Sequence, residues 1–150
     1  MGDDPTRPAF SGATLTDYST LDYNGYRVKN ISGAYRWGYP LDRNMNHADR
    51  TELTFKGFKD ITELSKLTGL ETHGIELDYD IFENVTIPDP QAKGHVYQLK
   101  GYNFNLKKNA KAIDAGCVLP NITDQFSGKA PDLGALESGL EELHYGPRNK

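Results

Sequence analysis

The sequence predicts an all-β fold with one short α-helix, built mainly from short strands joined by tight turns. The chain has 15 glycines and 8 prolines in 150 residues, and aromatic residues make up 11%. This composition favours turns and strands over helix bundles. Several segments alternate apolar and polar residues, as half-buried strands do. Only residues 60–68 have the apolar spacing of an amphipathic helix.

The first third of the chain combines an irregular start with two aromatic segments. Residues 1–16 are polar and rich in turn-forming residues, so we expect an irregular N-terminal segment that is distinct from residues 17–150. Asn24-Gly25 predicts a turn, because both residues tolerate positive φ. Tyr35, Trp37 and Tyr39 alternate along the chain and would share one face of an extended strand.

The middle of the chain contains the helix. Leu53 and Phe55 alternate as in a strand, and Asp60 follows as a good helix N-cap. A narrow apolar stripe comes next, formed by Ile61, Leu64 and Leu67. Gly69 stands where a C-terminal glycine would end the helix. A helix of about two turns is too short to be stable alone, so it must pack on something.

Further strands and a turn-rich end complete the prediction. Residues 74–85 alternate and predict a strand, Ile87 to Pro90 break it, and residues 95–106 predict a strand pair. Residues 112–116 predict a short strand that enters a turn. Residues 111–148 are dense in glycine, proline, aspartate and asparagine, which is typical of a fixed irregular path. Four acidic residues are expected to cap turns there, namely Asp114, Asp124, Asp132 and Glu137.

Composition also excludes several classes of function. The formal net charge is −4 and the basic residues are scattered, so no electrostatic footprint for nucleic acid is present. Cys117 is the only cysteine, which excludes an internal disulfide. The sequence has no apolar run long enough to span a membrane, and residues 1–8 lack the apolar segment of a signal peptide. We therefore expect a cytoplasmic chain, or a piece of a longer protein whose export signal lies elsewhere.

The order of these pieces resembles a known family. The phrases run from Leu67-Thr-Gly-Leu-Glu-Thr-His73, through Asp78-Tyr-Asp-Ile-Phe82 and Lys111-Ala-Ile-Asp-Ala-Gly116, to Ala130-Pro-Asp-Leu-Gly-Ala-Leu-Glu137. This order resembles the C-terminal end of secreted bacterial right-handed parallel β-helix proteins of the pectate-lyase-like superfamily. The DYNGY segment at residues 22–26 and the terminal HYGPR add support. The departures are Lys111, where Ser or Pro is common, and Leu136, where an aromatic is common.

The resemblance covers roughly residues 17–148 and implies a fold, a partner and a role. The fold is the terminal coils and cap of a right-handed parallel β-helix, with one short α-helix near 60–68. The chain would be the C-terminal part of a longer extracellular or periplasmic protein, a lyase or hydrolase acting on polysaccharide, and its partner would be the upstream coils. Catalysis would lie mainly on those coils, so this chain alone is expected to be non-catalytic. The alternative is a small carbohydrate-binding or surface-interaction module.

One region could bind an anionic sugar. Arginine can hold a carboxylate with two parallel hydrogen bonds, and aromatic faces pack on sugar rings. The densest combination of aromatic and basic residues predicts a substrate-binding set made of Tyr23, Tyr26, Arg27, Arg36, Trp37 and Tyr39. The competing interpretation is that the aromatics belong to the core and the arginines to the surface.

Two other polar features have both a chemical and a structural interpretation. Glu76, Asp78 and Asp80 recur at every second residue and could form a Ca²⁺ site, but we favour the interpretation that they form the solvated face of a strand. No cofactor is otherwise expected. His73 follows the helix beside Gly74, and we expect its side chain to hydrogen-bond the backbone.

Overall fold

In the computed structural model, the residues described are 8–12, 20–28, 33–39, 54–89, 91–92, 94–98 and 100–141. They form two compact units: the first is drawn from Met1–Asp78 with Pro88–Tyr97, and the second from Tyr79–Ile87 with Gln98–Lys150. The expected boundary at residues 16/17 lies outside the described residues. The elements, in chain order, are β1 (Phe10–Gly12), β2 (Gly25–Tyr26), β3 (Tyr35–Tyr39), β4 (Thr54–Phe58), α1 (Ile61–Thr68), β5 (Ile75–Glu76), β6 (Phe82–Asn84) and β7 (Asn103–Leu106), with a 3-10 turn at Tyr79–Ile81.

The first unit contains two small sheets with parallel strand pairs. The larger sheet has the order β1-β3-β4. β1 runs parallel to β3, with Phe10 opposite Tyr35, and β3 runs antiparallel to β4, with Tyr35 opposite Phe58. The smaller sheet pairs β2 with β5 in parallel, with Gly25 opposite Ile75. Parallel neighbours need long crossover connections, so each pair joins distant parts of the chain.

One face of the larger sheet carries the core of this unit. Tyr35 and Trp37 are buried while Arg36 between them is exposed, which confirms the alternation predicted for these positions. Their rings pack with the apolar face of α1, and the buried cluster consists of Ala34, Tyr35, Trp37, Phe58, Ile61, Leu64 and Leu70. A Cβ on Gly12 would lie 2.6 Å from the Trp37 ring, so only glycine lets β1 pass this indole.

The helix follows from local signals and is confirmed. The Asp60 carboxylate accepts a hydrogen bond from the Glu63 amide at 2.9 Å, and the Glu63 carboxylate accepts one from the Lys59 amide at 3.0 Å. This reciprocal pair is a variant of the capping box. Gly69, at φ 69°, closes the C-terminus by donating its amide to the Ser65 carbonyl.

The second unit combines one antiparallel strand pair with a turn-rich segment. β6 pairs with β7, and Phe82 lies opposite Leu106. Carboxylates of the C-terminal segment accept backbone amides, as expected: Asp114 accepts from Lys129, Asp132 from Asp114 and Ser138, and Glu137 from Ser127 and Asp132. Asp124 likewise accepts from the amide of Asn121.

Short strands and one α-helix are therefore confirmed as the main regular secondary structure of the described residues, whereas several individual predictions are wrong. The turn expected at Asn24-Gly25 lies at Tyr23, whose φ is 57°, and Gly25 instead begins β2. A Cβ on Gly25 would lie 2.7 Å from the Leu77 side chain, so this glycine permits a close strand contact. The strand expected over 74–85 is interrupted by the 3-10 turn, the described part of 95–106 contributes β7 alone, and 112–116 forms a turn.

Candidate functional site

The predicted sugar-binding aromatics have different environments. Trp37 is only 4% exposed and its indole stacks on Phe10, with ring centroids 6.2 Å apart. Its Nε1 has no hydrogen-bond partner among the described residues. This ring is therefore a core residue in the structure. Tyr39 lies at the end of β3, and its side chain is outside the described residues.

The predicted arginines have separate partners. The Arg27 Nε donates to Asp78 Oδ1 at 2.5 Å. Arg36 lies on the exposed face of the larger sheet, with its guanidinium carbon 5.0 Å from the centre of the Phe55 ring. A guanidinium over an aromatic face is a favourable cation–π contact. The two arginines therefore do not share a described partner.

The acidic residues proposed for calcium are also engaged separately. Glu76 accepts the Tyr35 hydroxyl at 3.0 Å and the Ile61 amide at 3.2 Å, so it joins β5 to the start of α1. Asp78 is paired with Arg27, and Asp80 lies in the 3-10 turn. Within the described ranges, no group of three or more His, Cys, Asp or Glu side chains could hold a metal ion.

The structure instead brings together two segments that the sequence analysis did not connect. The turn at residues 22–24 meets the turn at residues 71–73, which follows α1. We call this contact the His73 cluster and define it as Asp22, Tyr23, Glu71, Thr72 and His73. His73 Nδ1 lies 2.7 Å from Asp22 Oδ2, and the two residues are 51 positions apart in the chain. The expectation that the His73 ring bonds the backbone is therefore wrong, because its described partners are the Asp22 carboxylate and the Thr72 hydroxyl.

The Asp22 carboxylate is the anchor of the cluster. Its Oδ1 accepts the backbone amides of His73 at 2.6 Å and of Tyr23 at 2.9 Å, and its Oδ2 also accepts the Thr72 hydroxyl at 2.9 Å. Burial alone would raise the pKa of Asp22, but the hydrogen bonds from the side chain and backbone of His73, from Thr72 and from Tyr23 lower this pKa to about 2. Asp22 is thus an ionised acceptor at neutral pH.

This anchoring fixes the imidazole in one tautomer and one orientation. Because the Asp22 carboxylate is ionised, Nδ1 of His73 must be the donor, and the neutral ring then carries its lone pair on Nε2. No hydrogen bond to Nε2 is formed within the described part of the chain, and the His73 side chain is 58% exposed. The Tyr23 ring stacks on the imidazole, with centroids 4.5 Å apart and planes 10° from parallel.

Within the cluster, the buried Glu71 carboxylate binds neighbouring side chains by hydrogen bonds. Glu71 is 2% exposed and accepts the Asn24 side-chain amide at 2.7 Å and the Tyr26 hydroxyl at 2.6 Å. Burial, and then the negative charge and hydrogen bond of Glu71, raise the pKa of Tyr26 well above its usual range. Tyr26 therefore stays a neutral donor. Of the six predicted binding residues, Tyr23 belongs to this cluster. Tyr26 contacts it only through its hydroxyl, because its ring packs edge-on against Phe10 and Tyr35.

Backbone strain is concentrated in the same place. Five non-glycine residues of the described chain have positive φ, and three of them are Asn or Asp, which tolerate this conformation. The other two are Tyr23, at 57°, and Glu71, at 53°. Each such backbone conformation is unfavourable by about 1–3 kcal/mol, and conformations of this kind are concentrated at active sites and ligand-binding sites. The surrounding hydrogen bonds therefore impose these conformations.

The chemistry available to the cluster follows from this geometry. A neutral imidazole with a fixed, exposed Nε2 can accept a hydrogen bond from a hydroxyl group or take up a proton. An aromatic ring held beside it offers an apolar face. The sequence did not predict the cluster because long-range backbone pairing, including β2 with β5, brings Asp22 to His73. The available signal was weak: both segments, DYNGY and ETHG, combine polar side chains with turn residues.

The second unit holds a separate shallow cavity of about 200 Å³. Its apolar lining includes Ile122, Pro131, Leu136 and Leu140, and its polar lining includes Asp132 and Glu137. Both carboxylates already accept backbone amides, Asp132 from Ser138 and Glu137 from Ser127. They hold the surrounding loops, and this role accounts for their position.

Comparison with family models, curated proteins and solved structures finds no match to this chain. No helix in the described portion is long and apolar enough to cross a membrane.

Proposed function

We propose that this chain is the closing portion of a right-handed parallel β-helix of the pectate-lyase-like kind. In this proposal it is the C-terminal structural part of an extracellular or periplasmic lyase or hydrolase that acts on polysaccharide. Catalysis belongs to coils that precede it, and the chain is not catalytic by itself.

The observation that carries the proposal is the spacing of the parallel strand pairs. Phe10 pairs with Tyr35, 25 residues later, and Gly25 pairs with Ile75, 50 residues later. In a solenoid each coil lays its strand parallel to the strand of the next coil, and repeats span about 20–45 residues. A separation of 25 fits one coil. A separation of 50 fits one coil enlarged by an insertion, and β4 and α1 lie between β2 and β5 in the sequence.

The sheet edges favour a terminal position for this chain. β4 runs antiparallel to β3 and is followed by α1, so the parallel stacking does not continue past β3 in the larger sheet. At the other edge of the described sheet, β1 has β3 as its one neighbour. An unpaired edge needs a covering strand, and upstream coils would supply it.

A second candidate function is a small carbohydrate-binding module, and one observation favours it. Tyr23 belongs to the predicted binding set, and its ring stacks on the imidazole of His73, whose side chain is 58% exposed. Stacked, partly exposed rings that are held rigidly offer contact area at little cost in conformational entropy.

The genomic sequence immediately 5′ of the Met1 codon tests the main proposal. We expect an in-frame continuation that encodes short strands at a spacing near 25 residues and an export signal further upstream. The longer product should cleave an acidic or neutral polysaccharide, whereas this chain alone should release no reducing ends or unsaturated products from the same substrates. A stop codon directly upstream, or depolymerisation by the isolated chain, would contradict the proposal.

A further inference from the structure

We propose that His73 and Tyr23 form a subsite for one neutral sugar ring. In this subsite Nε2 of His73 accepts a hydrogen bond from a sugar hydroxyl, and the Tyr23–His73 stack provides the apolar contact. The inference rests on the proposed polysaccharide role, because it specifies which class of sugar the chain contacts.

The His73 ring is already held in a fixed orientation by Asp22. The Asp22 carboxylate accepts four hydrogen bonds from three residues of the cluster: the Tyr23 amide, the Thr72 hydroxyl, and the backbone amide and ring of His73. These bonds fix the imidazole plane and its tautomer. A group that needs no reorientation on binding loses little entropy, so it contributes more of its interaction energy to affinity.

Two residues of the cluster have backbone conformations that are unfavourable in free energy. Tyr23 takes a left-handed backbone conformation that is unusual for a large aromatic residue, and the result is that its ring lies 4.5 Å from the imidazole. Glu71 also has a left-handed backbone conformation, and its buried carboxylate accepts hydrogen bonds from Asn24 and Tyr26. Conformations of this kind persist where the surroundings impose them, and they cluster at ligand sites.

The negative charge of the cluster favours a neutral sugar over an acidic one. Asp22 is ionised, and the buried Glu71 carboxylate belongs to the same cluster, two residues before His73 in the chain. The carboxylate of an acidic sugar would be repelled by the Asp22 charge beside His73, and Arg27 is already paired with Asp78. A neutral hydroxyl bound at Nε2 meets no such repulsion. The subsite therefore selects neutral hexoses or pentoses over uronic acids.

The test is a titration of the full chain with defined oligosaccharides. Cellohexaose, xylohexaose and mannohexaose serve as neutral probes, and hexagalacturonate serves as the acidic probe. Affinity is measured by calorimetry, and the His73 ring is followed by long-range ¹H–¹⁵N NMR at pH 8. We expect at least one neutral probe to bind and to shift the His73 Nε2 resonance. That resonance should show the Nδ1–H tautomer before the sugar is added.

Two variants and one matched control separate the subsite from a structural role. His73→Asn keeps an N–H near the Nδ1 position for Asp22 but removes Nε2, and it should weaken binding about fivefold to tenfold. Tyr23→Leu, which removes the aromatic face, should weaken binding by a similar factor and serves if the first variant fails to fold. The control is His95→Asn. The exposed His95 ring lies edge-on to Tyr97, with centroids 4.5 Å apart and no described carboxylate partner, so this variant should bind as the wild type does.

Each outcome bears on a different statement. Neutral-probe binding that is unaffected by both variants would overturn the subsite and leave the polysaccharide role standing. Binding of hexagalacturonate alone would overturn the assignment to neutral sugars. Absence of binding to every probe at millimolar concentration would overturn the subsite, while the β-helix proposal would still be judged independently by the upstream reading frame.

Discussion

The Asp22 carboxylate offers a quantitative prediction about stability. Replacing Asp22 with Asn keeps the size of the side chain but removes the charge of the carboxylate, which accepts four hydrogen bonds. The pKa of Asp22 is lowered from 3.8 to about 2. At about 1.4 kcal/mol for each pH unit, the folded state gains at most about 2.5 kcal/mol from the ionised form. The side chain keeps 24% exposure, so we reduce the expected loss in Asp22→Asn to about 1–2 kcal/mol at pH 7.

The pH dependence has a definite sign. A carboxyl whose pKa is lower in the folded state binds its proton more readily in the unfolded state, so its contribution is present above pH 3.8 and is lost as the pH falls through about 2. Urea unfolding of wild type and Asp22→Asn between pH 7 and pH 2 measures this difference. The gap should be constant above about pH 5 and should shrink between about pH 4 and pH 2.

A matched control makes the result interpretable. Asp89 is an exposed aspartate whose carboxylate accepts the Gln91 amide. Asp89→Asn should change the free energy of unfolding by less than about 0.5 kcal/mol at every pH. If Asp22→Asn behaves like Asp89→Asn at pH 7, or if its deficit does not change down to pH 2, the reasoning about Asp22 is refuted.

Three further predictions concern the framework. Leu64→Ala removes a side chain that is 0% exposed, so it should cost about 2–5 kcal/mol in urea unfolding; a loss below 1 kcal/mol would contradict the packing of α1. Asp60→Ala removes the N-cap and should cost about 1 kcal/mol, with unchanged stability as the contrary result. Asp114→Asn weakens acceptance of the Lys129 and Ala130 amides, so hydrogen exchange should accelerate at those two amides; equal exchange in both proteins would argue against this capping role.

Local signals in the sequence were sufficient to predict the helix. Asp60, Glu63 and Gly69 act through contacts within a few residues, and the helix Ile61–Thr68 begins and ends where they indicate. The carboxylate caps of the C-terminal segment were likewise predictable, because aspartate in turn-rich sequence commonly accepts backbone amides. The alternation of Tyr35 and Trp37 predicted one shared face, and both side chains are buried.

Long-range pairing could not be predicted, and the candidate site depends on it. Backbone hydrogen bonds bring His73 to Asp22: Glu71 donates its amide to the Leu21 carbonyl, Ile75 to the Asn24 carbonyl and Leu77 to the Tyr26 carbonyl. Neither the sequence around Asp22 nor the sequence around His73 indicates that the two residues are in contact. The same limit explains the error at Asn24-Gly25, where the dipeptide suggested a turn but the close Leu77 side chain requires the glycine within β2.

Burial decides between the two interpretations of Trp37 that the sequence leaves open. An aromatic residue between arginine and glycine suits both a sugar-binding surface and a core. The absence of a side chain at Gly12 makes room for the indole against Phe10, so Trp37 packs inward. Tyr23 is held outward against His73 by a left-handed backbone that no propensity would assign to tyrosine.

The proposal depends most on the parallel pairing of β1 with β3, which it interprets as strands of two successive coils. Disulfide trapping tests it most directly. Ser11 lies opposite Arg36 in the parallel register, and both are exposed, so Ser11→Cys with Arg36→Cys, in a Cys117→Ser background, places two thiols on adjacent strands. The control pairs Ser11→Cys with Lys56→Cys, because β1 and β4 lie on opposite sides of β3 and are about 10 Å apart. We predict rapid disulfide formation in the first protein and none in the control, measured by intact mass; equal rates, or no disulfide in the first protein, would contradict the account.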